Sequence, residues 1–412
     1  VAVTGLGVVS GLGWGVAPFW DALRAGRTSL GPFARFDHSG HRTHVASQVP
    51  DPPPGLAARY PRWSRLSQAD RFALAAVDEA LAQAGFADFS GFTDPDRVGV
   101  FFGSSTGGMY EGEQFFADLL KRSGRGPEGS SRVHLALLAS QPVSGPGDEL
   151  ARHLQVTGPV ETLSSACSSA TLALGAALDA LRDGEVDLAV AGGSDALCEL
   201  TYAGFNALRA VSETPCRPFR EGREGMSVGE GAAVLILEPL ELALARGAVP
   251  LAELAGAGAS CDAHHMTAPD PSGRGAAAAV AAALADAGME PGEIDFINAH
   301  GTGTPLNDAA EWRAFERIFG ARLPELPLTA TKAIVGHLLG SAGAIEAVAT
   351  VLCLAAGEVH PTPGIGPVDP ELRVRLVTGL PLPLAARAAV STNLAFGGSN
   401  GALVFAAAGR GS

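Results

Sequence analysis

The stretch Ser164-Ser165-Ala166-Cys167-Ser168-Ser169-Ala170 runs straight into Thr171-Leu172-Ala173-Leu174-Gly175-Ala176-Ala177-Leu178. The second part is apolar on every face. A helix without a polar face reads as one buried in the protein's interior rather than laid on its surface. Cys167 would sit at that helix's first turn. Unpaired N–H groups and the helix dipole there favour an anion, so they would lower a thiol's pKa. The thiolate is the form that attacks thioesters, and the small neighbours leave room for a substrate. The competing reading is a plain core cysteine, because free Cys is among the most buried residue types. This stretch alone does not choose between the two.

The surrounding sequence alternates strand-like and helical runs. Residues 98–102 and 231–237 read as buried strands, and residues 186–191 as a strand after an Asp183-Gly184 helix stop. Residues 276–287 form an Ala-rich helix ended by Gly288, and residues 345–356 a second buried helix. Alternation of this kind implies α/β layers. The opening Val1-Ala2-Val3-Thr4-Gly5 reads as a strand and turn.

Three further motifs follow the cysteine. His300 ends a strand-like run in His300-Gly301-Thr302-Gly303-Thr304-Pro305. His337 lies in Thr331-Lys332-Ala333-Ile334-Val335-Gly336-His337-Leu338-Leu339-Gly340. Thr392-Asn393-Leu394-Ala395-Phe396-Gly397-Gly398-Ser399-Asn400 comes near the C-terminus. In order and spacing, Cys167, His300, Lys332, His337 and Phe396-Gly397-Gly398 resemble the β-ketoacyl-acyl-carrier-protein synthases. The likeness is to the synthase II and type II polyketide ketosynthase branch, and it spans nearly the whole chain.

The resemblance implies the thiolase fold, an α/β architecture of five αβαβα layers in two pseudo-repeated halves. The boundary is expected near Gly247, giving halves 1–247 and 248–412, with Cys167 in the first and both histidines in the second. It implies a decarboxylative Claisen condensation, an acyltransferase reaction that lengthens an acyl chain by two carbons. Cys167 would be the nucleophile, and His300 and His337 neutral donors to the enolate, which is oxyanion-hole logic. Lys332 would orient and tune His300, with Glu311 in the supporting network. The backbone N–H groups of Cys167 and Phe396 would form the oxyanion hole, with Phe396, Gly397 and Gly398 as the gate. Thr302, Thr304 and Thr267 would hold the pantetheine. The chain itself would bind no cofactor, since 4'-phosphopantetheine arrives on an acyl carrier protein. A homodimer is expected, or a heterodimer with a chain-length factor.

Two positions depart from the common synthase II pattern in the expected acyl pocket. Thr106 replaces a bulkier aliphatic residue and Leu394 a Phe, which keeps fatty-acid and polyketide or polyene synthesis both open. Cys167, His300 and His337 are all present, unlike in a chain-length factor. Thiolases carry a second cysteine near the C-terminus, and synthase III types an Asn at the second histidine; neither occurs here.

Composition bounds the rest. At 412 residues, 47% hydrophobic and only 17% charged, the chain can bury a large core. No run of about 18 uninterrupted apolar residues is evident, so no membrane span is expected. Five scattered cysteines without a C-x-x-C argue against a disulfide framework or metal site and for a cytoplasmic location. A net charge of −14 argues against nucleic-acid binding. It also opposes docking of an acidic carrier protein, which would need a local basic patch. Candidates are Arg62, Arg65, Lys121, Arg122, Arg125 and Arg209. With no carrier or transferase domain within these residues, the carrier would be met in trans. A remote alternative is a serine hydrolase, because Gly103-Ser104-Ser105-Thr106-Gly107 matches G-x-S-x-G with Ser105 as nucleophile. Gly5-Leu6-Gly7-Val8-Val9-Ser10 lacks the third glycine of a dinucleotide motif, and the resemblance implies that it is the turn after the first strand.

Overall fold

A computed structural model describes residues 1–86, 94–123 and 138–409. Eleven strands follow one path through the large sheet, and a short twelfth, Gly13–Trp14, pairs with the first strand. The path divides into two groups of the same design. Across the first group run Val160–Leu163, Val98–Gly103, Leu188–Asp195, Gly231–Glu238 and Ala2–Ser10. In chain order these are the third, second, fourth, fifth and first. The second group repeats that order with Pro327–Thr329, Phe296–Asn298, Ala388–Leu394, Ser399–Ala407 and Ala252–Cys261, plus Arg375–Leu376 at its edge. In both groups the first three of these strands are parallel and the last two turn antiparallel. Among the described residues, the strands of the two groups pair where Ala2 and Val3 meet Glu253 and Ala252.

Three apolar cores separate the layers. The helices Ser169–Arg182 and Ala342–Ala356 pack on each other and on strands of both groups, which accounts for their lack of a polar face. Gln68–Ala84 and Gly145–Leu154 cover the outer face of the first group, and Arg274–Asp286 and Pro305–Phe319 that of the second. The result is the five-layered αβαβα arrangement. The stretch Leu339–Ala356, interrupted by Glu346, is long and apolar enough to cross a bilayer by length and composition, but 83% of it is buried inside the protein.

The first glycine motif also reads differently in three dimensions. Gly5 and Gly7 lie inside the strand Ala2–Ser10 rather than in a turn. A Cβ on Gly7 would fall 1.8 Å from the Ala76 carbonyl oxygen, and one on Gly5 2.0 Å from that of Ala80. The glycines are there so that the helix Gln68–Ala84 can lie against the strand. That helix starts on a capping box between Ser67 and Asp70 and stops at Gly85, in the left-handed region.

Candidate active site

Cys167 stands two residues ahead of the helix Ser169–Arg182, not in its first turn. The preceding Ala166 has φ +46°, a conformation that costs a non-glycine residue energy and must be held by its surroundings. Serines do much of the holding. Ser169 Oγ donates to the Ala166 carbonyl at 2.6 Å and accepts from Ser165 N–H at 2.8 Å, and Ser165 Oγ reaches Ser399 Oγ at 2.8 Å. Burial pushes the Cys167 thiol up to about 11, against the pull of the Lys332 charge and the N–H groups of Phe396 and Cys167 itself. The lowered pKa expected from the helix terminus is therefore overturned. Removal from water outweighs the local dipoles at this thiol.

His300 follows the strand Phe296–Asn298, and His337 lies between the short helix Lys332–Val335 and the central helix Ala342–Ala356. Their ring centroids are 5.3 Å apart with planes at 88°. Lys332 Nζ lies 2.9 Å from His300 Nδ1, and Leu339 N–H donates to His337 Nδ1 at 3.1 Å. Each Nδ1 is thus assigned as an acceptor, which leaves the ring proton on Nε2. Burial first and the Lys332 charge second hold both imidazoles well below the ordinary histidine range. Both remain neutral donors in mild acid. A reaction that uses both rings as neutral donors should accordingly stay level between pH 7.5 and about 6, with no inflection at the ordinary histidine value of about 6.5. A titration of the rate centred near 6.5 would contradict this arrangement. Stability has the opposite sign: below about 6.5 the unfolded chain takes up protons that the folded histidines refuse, so acid costs stability.

Lys332 is not a surface lysine but 1% exposed. Its ammonium pairs with Glu346, whose other oxygen accepts from Asn393 Nδ2 at 2.8 Å. Glu311 serves a different part of the network. It accepts the backbone N–H groups of His300 at 2.7 Å and Gly301 at 2.9 Å, and the Thr392 hydroxyl at 2.7 Å. Burial lifts its carboxyl to about 7. Glu311 therefore fixes the His300 loop, while Glu346 fixes Lys332. The sequence reading missed Glu346, although it is the one charged residue in the apolar helix Ala342–Ala356. A carboxylate in such a place needs a partner, which was the available signal.

A cavity of about 400 Å³ is lined by Cys167, His300 and His337 together with Thr302, Thr304 and Thr267. Thr302 and Thr304 hydroxyls are 3.1 Å apart, and Thr304 also caps the helix Pro305–Phe319. Leu394 and Phe396 line the same space, and Phe396 meets the Phe205 ring edge-on at 5.8 Å. Gly397 and Gly398 have φ of +84° and +81°. Their backbone is joined to residues 262–266 through Gly397 N–H to Met266 O and Asp262 N–H to Gly398 O, both 2.8 Å.

Other expected residues fall elsewhere. Thr106 does not line this cavity among the described residues. Its hydroxyl donates to Asp195 at 2.9 Å. Ser105 Oγ donates to the Ala166 carbonyl at 3.0 Å, an arrangement of turn-building rather than nucleophilic attack. Arg209 is exposed at the cavity mouth and Arg65 is exposed on a separate turn. Arg62 is engaged with Glu149 at 3.4 Å. The side chains of Lys121 and Arg122, and all of Arg125, lie outside the described residues.

Two layered half-sheets, a buried helix-end cysteine and two neutral imidazoles on one cavity define an acyl-transfer enzyme of the thiolase type. Residues 1–243 match the beta-ketoacyl synthase N-terminal domain and residues 251–365 the beta-ketoacyl synthase C-terminal domain. The chain is 36% identical over 412 residues to 3-oxoacyl-[acyl-carrier-protein] synthase 2 of Synechocystis sp., covering 98% of this chain and 97% of the relative. The ishigamide ketosynthase/chain length factor superposes with a TM-score of 0.92 at 34% identity, covering 99% of each chain. A type II polyketide acyl-carrier protein in complex with its ketosynthase bound to the hexaketide superposes at 0.87 with 28% identity, covering 98% of each. The chain belongs to the β-ketoacyl synthase family and is an acyltransferase of the 3-oxoacyl-carrier-protein synthase type.

Proposed function

We propose that Cys167 takes an acyl group from the pantetheine thioester of an acyl carrier protein and passes it to a carbanion made from malonyl-carrier protein. In the first step the Cys167 sulfur displaces pantetheine sulfur at the acyl carbon, and the departing thiolate takes up the proton that Cys167 gives up. The N–H groups of Cys167 and Phe396, which favour negative charge on the thiol, would donate to the carbonyl oxygen that acquires charge beside it in that step. In the second step malonyl-carrier protein loses carbon dioxide. The electron pair of the broken bond passes to the thioester enolate, whose oxygen accepts from the Nε2–H groups of His300 and His337. The enolate carbon attacks the acyl-Cys167 carbonyl, the C–S bond breaks, and the freed thiolate is reprotonated from water. The observation that carries this reading is the pair of Nδ1 acceptors, which leaves two neutral N–H donors on the cavity that holds Cys167.

Thr302, Thr304 and Thr267 would bond the pantetheine amides on the way in. Arg209 at the mouth, with Arg65 nearby in role, would meet the acidic carrier protein; Arg62 contributes less because Glu149 already partners it. We divide the halves near Gly247, which has φ +80° after the helix Leu240–Ala245. A second subunit of the same fold suits the exposed Phe116, Leu119 and Leu120 on the helix Met109–Ser123. Likeness to ketosynthases solved with a chain-length factor supports a heterodimer and a polyketide or polyene product beside fatty-acid elongation. We place the enzyme in the cytoplasm.

Intact-mass analysis after incubation with a panel of acyl-carrier proteins tests the reading. The expected result is a gain of one acyl group that disappears in Cys167→Ala. Loading on another residue would overturn the assignment, and loading only after addition of a partner subunit would favour the heterodimer.

A further inference from the structure

Asp195 ends the strand Leu188–Asp195, is completely buried, and touches neither the cavity nor any of the groups given a chemical role above. Its carboxylate nevertheless collects donors from two separate loops. From the first half it accepts Ser104 Oγ at 2.7 Å, Ser105 N–H at 2.9 Å, Thr106 N–H at 2.8 Å and Thr106 Oγ1 at 2.9 Å. From the second half it accepts Gly340 N–H at 2.6 Å. The loops are in contact: a Cβ on Gly340 would fall 2.6 Å from Ser105 N and 2.7 Å from the Asp195 carboxylate.

Each loop continues directly to a reacting group through a strained residue. Ser105, held by Asp195 at its N–H, donates its hydroxyl to the carbonyl of Ala166, which has φ +46° and precedes Cys167. Gly340, held by Asp195 at its N–H, follows Leu339, which has φ +55° and presents its own N–H to His337 Nδ1. Non-glycine residues keep such conformations only where neighbouring bonds over-determine them. We propose that Asp195 is a positioning residue that fixes the Cys167 turn and the His337 tautomer together, tying the nucleophile of one half to the enolate donor of the other.

The inference rests on the roles given to Cys167 and His337 above. Asp195→Asn keeps the size of the side chain but turns an N–H₂ towards at least one backbone N–H that needs an acceptor. Ser105→Ala cuts only the branch to Ala166. On one preparation of each protein, three quantities are measured: Cys167 loading from an acyl-carrier protein, kcat and KM for malonyl-carrier-protein decarboxylation, and the thermal midpoint. A displacement of about 1 Å at a reacting group costs on the order of 100-fold. Asp195→Asn should therefore lower both loading and decarboxylation kcat by about that factor, with the decarboxylation KM within about threefold of the parent. Ser105→Ala should slow loading and spare decarboxylation. A merely structural role would lower the thermal midpoint and raise KM without this separation of the two steps. Both rates unchanged in Asp195→Asn, or a change confined to KM, would overturn the proposal. If Asp195→Asn does not fold, Ser105→Ala decides: slower loading alone supports the proposal, and equal effects on both steps or none overturn it. A parent protein that neither loads nor decarboxylates would overturn the functional reading, and this inference with it.

Discussion

Lys332→Met is expected to be the most damaging single change at the site that leaves both histidines and the cysteine in place. The ammonium is buried, pairs with Glu346 and lies 2.9 Å from His300 Nδ1. Its removal strands the Glu346 carboxylate away from water, and breaking a buried pair from one side costs about 3–5 kcal/mol. It also takes away the closer of two donors to His300 Nδ1, leaving Asn393 Nδ2 at 3.3 Å, so the ring proton is held less firmly on Nε2. Loss of one preorganised donor to a developing oxyanion costs about 100- to 1,000-fold in turnover. The two losses are separable. Lys332→Met with Glu346→Gln removes both charges and keeps an acceptor for Asn393, so most of the stability should return while decarboxylation stays low. Urea unfolding and carbon dioxide release, measured on the single and double variants, check this. Recovery of both in the double variant would mean that Lys332 acts on stability alone. The acid limb should move as well. The Lys332 charge is one of the two main causes that keep His300 neutral, so without it, and with Glu346 unpaired, the imidazole titrates at higher pH.

Local pattern was enough to read most of the fold. The Ala-rich run before Gly288 and the strands around residues 98–102 and 231–237 lie within two residues of the observed elements, and the all-apolar run after Cys167 falls inside its helix. Each announces itself through its own composition. The site was legible for a similar reason, since Cys167, His300, Lys332, His337 and Phe396 sit in short motifs rich in glycine and small residues. Residues that act across the chain were not legible. Glu346 partners a lysine on another helix, and Asp195 gathers donors from loops around residues 104–107 and 340, so neither has a meaning until the two halves are assembled. The thiol's protonation was misread because a helix terminus is a local feature whereas desolvation is a property of the whole fold. The glycines of the first strand were assigned to a turn because nothing nearby in sequence reveals the helix that lies against them.

Close approach of backbones also sets the second large effect, expected at Gly343. This residue opens the central helix Ala342–Ala356 where it crosses the helix that follows Cys167. A Cβ there would fall 2.1 Å from Thr171 Oγ1 and 2.7 Å from Thr171 N. The hydroxyl cannot simply rotate away at no cost, since it is bonded to Asn393, which in turn holds Glu346. The backbone nitrogen cannot move without the helix. Overpacking in a core costs about 1–3 kcal/mol and occasionally more, and a clash with backbone at a helix crossing belongs at or above the upper end. Gly343→Ala should therefore lower the unfolding midpoint by several degrees and depress condensation beyond what the lost folded fraction explains, because the strain passes through Thr171 and Asn393 to the Lys332–Glu346 pair. Gly204→Ala is the matched comparison. It lies inside the helix Glu199–Ala207, has an ordinary negative φ, and its Cβ would meet nothing within 4 Å. There the gain in helix propensity acts alone and should add about 0.5–1 kcal/mol. Opposite signs for one chemical change would tie the stability of this protein to the distance between its two buried helices. Equal effects at the two positions would show that the crossing has more room than its geometry allows.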